Sequence, residues 1–134
     1  MPVIRSAAIG LTVAAGIASG VLMPAQASAQ TASPNGVAAS CSVSNALLWC
    51  GNKGNIPVYR GASASWPVSG TLLSTYSFFE CYRYGDQHAG GNNIWYYTEG
   101  DRPANGYDGW GYVPAVDVYT PTDPMPGMTL CPTD

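Results

Sequence analysis

Four cysteines restrict the possible folds of this sequence more than any other feature. They are Cys41, Cys50, Cys81 and Cys131, in a chain of 134 residues. An even number of cysteines in a short chain is typical of a disulfide framework formed in an oxidising compartment. We expect a Cys41–Cys50 bond, which closes a local loop, and a Cys81–Cys131 bond, which ties the C-terminal tail to the domain.

A zinc site is the alternative use of these cysteines. The sequence contains no Cys-x-x-Cys pair and a single histidine, His88. Structural zinc sites usually take closely spaced cysteine and histidine ligands. We therefore predict that the protein holds no metal ion and no other cofactor.

The N-terminal segment has the pattern of a secretory signal. Arg5 supplies a positive charge, residues 7–23 are apolar and uncharged, and Ala27, Ser28 and Ala29 form a small-residue cleavage site. The alternative is a transmembrane anchor, but glycines interrupt the run, and a span needs about 20 apolar residues. We predict a signal peptide at residues 1–29 and a secreted, extracellular protein that can associate with the cell wall.

The charge of the remaining chain argues against nucleic acid and membranes as partners. All eight acidic residues follow the signal, where only four basic residues stand against them, which gives residues 30–134 a net charge of −4. Nucleic acids and anionic membranes attract basic patches. We predict a monomer with neither partner.

Short strand-like segments separated by turn residues dominate the sequence from residue 56 onward. The candidate strands are residues 56–59, 68–73, 76–84, 94–98 and 110–113, with a 3₁₀ turn at 115–117. Such spacing without helical periodicity is typical of a small barrel or sandwich. Residues 46–49 could form a helical turn or the end of a strand.

Four of these segments carry short motifs in a recognisable order. Residues 56–63 resemble an "NVRSGPS" signature, and residues 68–72 resemble "vvGtl". Residues 95–98 stand in the place of "WykV", and residues 109–113 in the place of "GWV". This order resembles that of small secreted bacterial SH3-like domains (SH3b type, Src homology 3) of Gram-positive bacteria.

The resemblance implies an all-β fold: a small SH3-like barrel of five to six short strands, stabilised by disulfides. The barrel would span residues 56–120, after an N-terminal extension at 30–55 that carries the Cys41–Cys50 bond. A Pro-rich tail at 121–134 would be tied down by Cys131. The implied function is that of a secreted, non-catalytic binding module for cell-wall peptidoglycan or its peptides.

The aromatic residues indicate where such a ligand would bind. Fifteen aromatic side chains are too many for a small core, and neighbouring strand residues face opposite ways. We therefore expect that Trp95 and Tyr96 are not both buried. In the SH3 fold the ligand groove lies between the loop after the first strand and, here, the Gly-rich loop at 85–93. The candidate ligand-binding residues are Tyr59, Trp66, Trp95, Tyr97 and Tyr112; packing of Trp95 in the core is the alternative.

An enzyme is the rival hypothesis. Small secreted ribonucleases use a Glu, an Arg and a His, for which Glu80, Arg83 and His88 are the candidates. The first two should point to opposite faces of one strand, and His88 is expected to be solvated at a loop tip. We therefore predict no catalytic residues. A secreted protein inhibitor or effector is the third possibility.

The signal pattern yields a direct prediction. The secreted protein should begin at Gln30, because peptidase cleavage follows the small residues Ala27, Ser28 and Ala29. Intact mass spectrometry of the protein from culture medium measures this. Recovery of chains that retain residues 1–20 would contradict the assignment.

Overall fold

The computed structural model describes residues 40–133; the predicted signal peptide and the start of the predicted N-terminal extension lie outside the described residues. The fold is all-β, as the sequence indicates. The elements are β1 (Ser42–Ser44), β2 (Leu47–Gly51), β3 (Ile56–Tyr59), β4 (Val68–Leu72), β5 (Tyr76–Phe79), β6 (Cys81–Tyr84), β7 (Ile94–Glu99), β8 (Arg102–Pro103), β9 (Trp110–Pro114) and a 3₁₀ turn (Ala115–Asp117).

The strands form two antiparallel sheets. The smaller sheet has the order β1-β2-β5, and the larger has the order β6-β7-β9-β3-β4-β8. These pairings close no barrel among residues 40–133, and the described strands outnumber the five to six that were expected. No helix of this part of the chain is long and apolar enough to cross a membrane.

The undecided segment at residues 46–49 forms part of a hairpin. Asn45 and Ala46 have φ values of 52° and 65°, and Ser44 pairs with Leu47 across the turn. Two central residues with positive φ form the turn whose twist matches that of a tight hairpin. The predicted Cys41–Cys50 disulfide links the two ends of this hairpin.

The strand predicted at residues 76–84 is divided between the two sheets. β5 pairs with β2, whereas β6 pairs with β7. Glu80 lies between them and donates its backbone N–H to the carbonyl oxygen of Tyr97 at 2.9 Å. The chain thus crosses from one sheet to the other at Glu80, a change that no turn residue in the sequence signals.

β7 is buried on both faces. Tyr96 packs with Leu48, Phe79 and Val113 in a core that both sheets supply. Trp95 points the other way, into a second cluster with Tyr112 and the Cys81–Cys131 disulfide. The expectation that Trp95 and Tyr96 are not both buried is therefore wrong: they are 2% and 0% exposed, because each face has its own cover.

The Pro-rich tail is docked although it forms no helix or strand of its own. The buried hydroxyl of Tyr96 donates to Asp123 Oδ1 at 2.8 Å and accepts the backbone N–H of Met125 at 2.9 Å. Burial, followed by the neighbouring Asp123, raises the pKa of Tyr96 well above its usual value. The Cys81–Cys131 bond, predicted from the sequence, fixes the end of the tail against β6.

The hairpin turn yields a prediction about stability. Ala46→Gly should raise the free energy of unfolding by about 1 kcal/mol, because a β-carbon disfavours the left-handed conformation. Denaturant unfolding measures the change. Ala64→Gly, in an exposed loop without positive φ, is the matched control and should lower stability by about 0.5 kcal/mol. A loss of stability in both variants would contradict the turn assignment.

Candidate ligand-binding site

Two concavities lie beside the outer face of β7, the face that carries Trp95 and Tyr97. These two side chains point the same way because they are two residues apart in a strand. Trp95 lines one concavity, here called the groove, and Tyr97 lines the other, here called the cleft.

The groove lies between the loop after β3 and the loop at residues 85–93. It has a volume of about 470 Å³. Tyr59, Trp95 and Pro114 supply rings to its lining, and residues 63–65 and 86–89 supply the loop walls. These are the two loops between which the resemblance predicts a ligand groove; the binding of a ligand there stays a prediction.

Asp86 ties the two loops together. It accepts the hydroxyl proton of Ser63 on Oδ2, and its backbone N–H donates to the carbonyl oxygen of Ala62 at 3.0 Å. Its own carbonyl accepts the indole N–H of Trp95 at 2.8 Å. The hydrogen bonds of one residue thus fix both walls and the buried indole.

His88 supports the groove wall from within its loop. Its Nε2 lies 2.9 Å from the carbonyl oxygen of Ile94, and the N–H of Gly90 donates to Nδ1 at 3.1 Å. These partners assign the ring proton to Nε2. The imidazole also packs edge-on against Trp95, with ring centroids 5.7 Å apart. His88 is therefore half-buried and bonded, and the expectation of a solvated side chain is wrong.

The lining of the groove carries negative charge. Asp86 and Asp117 both line it. Burial raises the pKa of Asp117, and the charge of the nearby Lys53 opposes that rise. An aromatic and proline surface beside two carboxyl groups suits a ligand with apolar parts and an amino group.

The cleft combines charged groups with aromatic rings. Its volume is about 330 Å³, and the tail residues Cys131 and Pro132 form part of its lining. Tyr97 packs against Trp110 and Tyr112, at centroid distances of 5.4 and 5.0 Å. The charged side chains that line the cleft are Arg60, Glu80, Arg83 and Asp108.

The electrostatic surroundings of Tyr97 confirm that the charged groups lie close to it. Burial raises the pKa of its hydroxyl, and Tyr112, Asp108 and Glu80 add to the rise while Arg60 opposes it. The hydroxyl therefore stays protonated at neutral pH and can donate or accept a hydrogen bond.

The structure divides the predicted ligand-binding residues among different places. Tyr59 and Trp95 line the groove, whereas Tyr97 and Tyr112 line the cleft. Trp66 lines neither; it is 55% exposed, and its indole covers the backbone of Gly61 so closely that a β-carbon there would clash.

Three further residues of the cleft were not among those predicted from the sequence: Arg60, Asp108 and Trp110. They lie in or beside the motif segments, and only the pairing of distant strands brings them together at the cleft.

The candidate catalytic residues are also divided. Glu80 and Arg83 both line the cleft, whereas His88 lines the groove. The prediction that Glu80 and Arg83 face opposite ways is wrong, because the chain changes sheets at Glu80 and regular alternation stops there. The three residues therefore do not surround a common site.

A run of exposed and half-buried rings continues from the cleft. Trp110 contacts Phe78, Phe78 contacts Trp49, and Trp49 stacks on Tyr76, with centroid distances of 6.0, 5.7 and 5.9 Å. Trp49 and Tyr76 are 41% and 50% exposed. Some aromatic rings thus lie on the surface, as their number in the sequence indicates.

Among residues 40–133, no three histidine, cysteine, aspartate or glutamate side chains come together as a metal site. A comparison of the chain with protein-family models, with curated proteins and with solved structures found no match.

The burial of Trp95 leads to a stability test. Trp95→Ala should lower the free energy of unfolding by about 3–5 kcal/mol, because it empties a packed position and removes a hydrogen bond. The matched variant Trp66→Ala should change it by less than about 1 kcal/mol, since that ring is exposed. Thermal or denaturant unfolding measures both. Equal losses would contradict the placement of the two indoles.

Proposed function

We propose that this protein is a secreted, non-catalytic binding module of the SH3-like type that recognises cell-wall peptidoglycan through its peptides. The observation that carries the proposal is the groove between the two loops, with Tyr59, Trp95 and Pro114 in its lining. Tyr59 and Pro114 are partly exposed and can contact a ligand, whereas Trp95 is 2% exposed and supports the groove from below its surface. Partly exposed aromatic and proline rings bind extended peptides with little loss of side-chain entropy.

The sheet topology supports the SH3-like assignment. The four segments that carry the resemblance lie in β3, β4, β7 and β9 or directly beside them, and these strands are neighbours in the order β7-β9-β3-β4. The 3₁₀ turn directly follows β9, where the sequence pattern of such domains places it. The two sheets share one core, as the two halves of such a barrel would.

The chemistry of the groove supports a peptide with a free amino group. Asp86 and Asp117 give the lining a negative charge that attracts an ammonium group. The partly exposed Tyr59 and Pro114 and the exposed Val116 offer an apolar surface for small side chains such as those of alanine. Stem peptides of the cell wall combine alanine residues with amino groups.

Two observations support a non-catalytic function. His88 lines the groove, apart from Glu80 and Arg83 in the cleft, and both ring nitrogens of His88 are hydrogen-bonded within the protein. All four cysteines are in disulfides, so none is free to act as a nucleophile.

Co-sedimentation with peptidoglycan purified from a Gram-positive bacterium tests the proposal. The protein should pellet with the insoluble wall, and Val116→Lys should weaken binding at least about tenfold, because it places a cation at the groove against the amino group of the ligand. Val116 is 42% exposed, so the fold should tolerate the change.

Val68→Lys is the matched control. Val68 is 39% exposed and lines neither the groove nor the cleft, so this variant should bind the wall as the parent protein does. The proposal fails if the parent protein stays in the supernatant, or if the two lysine variants lose the same amount of binding.

A further inference from the structure

The cleft carries chemistry that the proposed function does not use. Its charged side chains are two arginines and two acids, so its formal charge is balanced. The groove, in contrast, has two acids and no arginine in its lining. The two concavities therefore suit ligands of different charge.

Both arginines are held in place by aromatic rings. The guanidinium of Arg83 lies 5.5 Å from the ring centroid of Tyr112, and that of Arg60 lies 5.4 Å from the ring centroid of Tyr107. Arg83 also donates one hydrogen bond to the carbonyl oxygen of Pro132. A guanidinium has five N–H donors, so most donors of Arg83 remain for a ligand.

The two carboxylates of the cleft, Asp108 and Glu80, differ in their surroundings. Asp108 accepts the backbone N–H of Trp110 on Oδ1 at 3.1 Å, which fixes its side chain beside the cleft. Glu80 is exposed at the crossing between β5 and β6. Tyr97 and Trp110 also line the cleft and stack on each other with an interplanar angle of 26°.

We propose that the cleft is a second ligand site, which binds a small zwitterion of the amino-acid or dipeptide class. The arginines bind the carboxylate of the ligand, Glu80 and Asp108 bind its ammonium group, and the rings of Tyr97 and Trp110 pack against its carbon skeleton. A phosphate ester or polyanion is disfavoured, because two carboxylates in the same cleft repel its charge.

Ligand-observed NMR titration with three matched dipeptides tests the site. Alanyl-alanine with free ends should bind, whereas N-acetyl-alanyl-alanine and alanyl-alanine amide, which each lack one charge, should bind about tenfold more weakly. The free dipeptide is tested in its L,L and D,D forms. Preference for the L,L form indicates a ligand derived from protein, and preference for the D,D form indicates a ligand derived from the cell wall. Either preference supports the proposal.

Variants of the cleft connect this binding to the named residues. Arg83→Gln should weaken the free dipeptide about tenfold, and Arg83→Lys, which keeps the charge, should recover part of the loss. Glu80→Gln should weaken the free dipeptide and leave the N-acetylated form unchanged, which a general loss of folding would not do. Arg102→Gln, at an exposed site outside both concavities, is the control.

Three results would overturn the proposal. They are no saturable binding of the free dipeptide up to about 10 mM, equal binding of all three dipeptides, or unchanged binding in both Arg83→Gln and Glu80→Gln. The variants tell the two sites apart: the dipeptide binding that belongs to the cleft is the part that Val116→Lys leaves intact and Arg83→Gln removes, and the cleft variants should leave intact any wall binding that the groove provides.

Discussion

The burial of β7 on both faces is the constraint on which the rest of the structure depends. A strand in a small domain normally places one face on the core and the other in water. Here Tyr96 is buried in the core on one side, and Trp95 is buried in the second cluster on the other. The outer face must therefore be covered, and two loops and the C-terminal tail cover it. Without that cover a large indole and its N–H would be exposed, and the free energy of their burial would be lost.

The two concavities follow from the way this cover is built. The loops at residues 60–67 and 85–93 meet over Trp95, where Asp86 joins them, and the groove remains between them. The tail reaches the same face near Tyr97, where the Cys81–Cys131 disulfide holds it, and the cleft remains beside it. The carboxylates of Asp86 and Asp117 make the groove acidic, whereas Arg60, Glu80, Arg83 and Asp108 give the cleft charges of both signs. The tail contributes Cys131 and Pro132 to the lining of the cleft and no charge.

The sequence predicted the features that depend on local pattern. The disulfide pairing, the strands at residues 56–59 and 110–113 and the 3₁₀ turn follow from cysteine spacing, apolar alternation and Pro114. The sequence did not predict the change of sheets at Glu80, since no glycine or proline marks it. It left the burial of Trp95 open, as the alternative to a place in the groove, because alternation shows that two residues face opposite ways and does not show what covers the second face. The same limit explains why Arg60, Asp108 and Trp110 were missed: only strand pairing brings them to one cleft.

We propose that ligands of the cell wall bind at the covered outer face of β7. Two-dimensional ¹H–¹⁵N NMR of the labelled protein, titrated with soluble disaccharide-peptide fragments of peptidoglycan, tests this proposal. The indole N–H of Trp95 gives a separate signal, and its hydrogen bond to Asp86 makes it a reporter of the groove wall. We expect saturable shifts of this signal together with those of the backbone amides of residues 63–65 and 86–89. Saturable shifts confined to the opposite side, around the hairpin of β1 and β2, or no shifts at all, would contradict it.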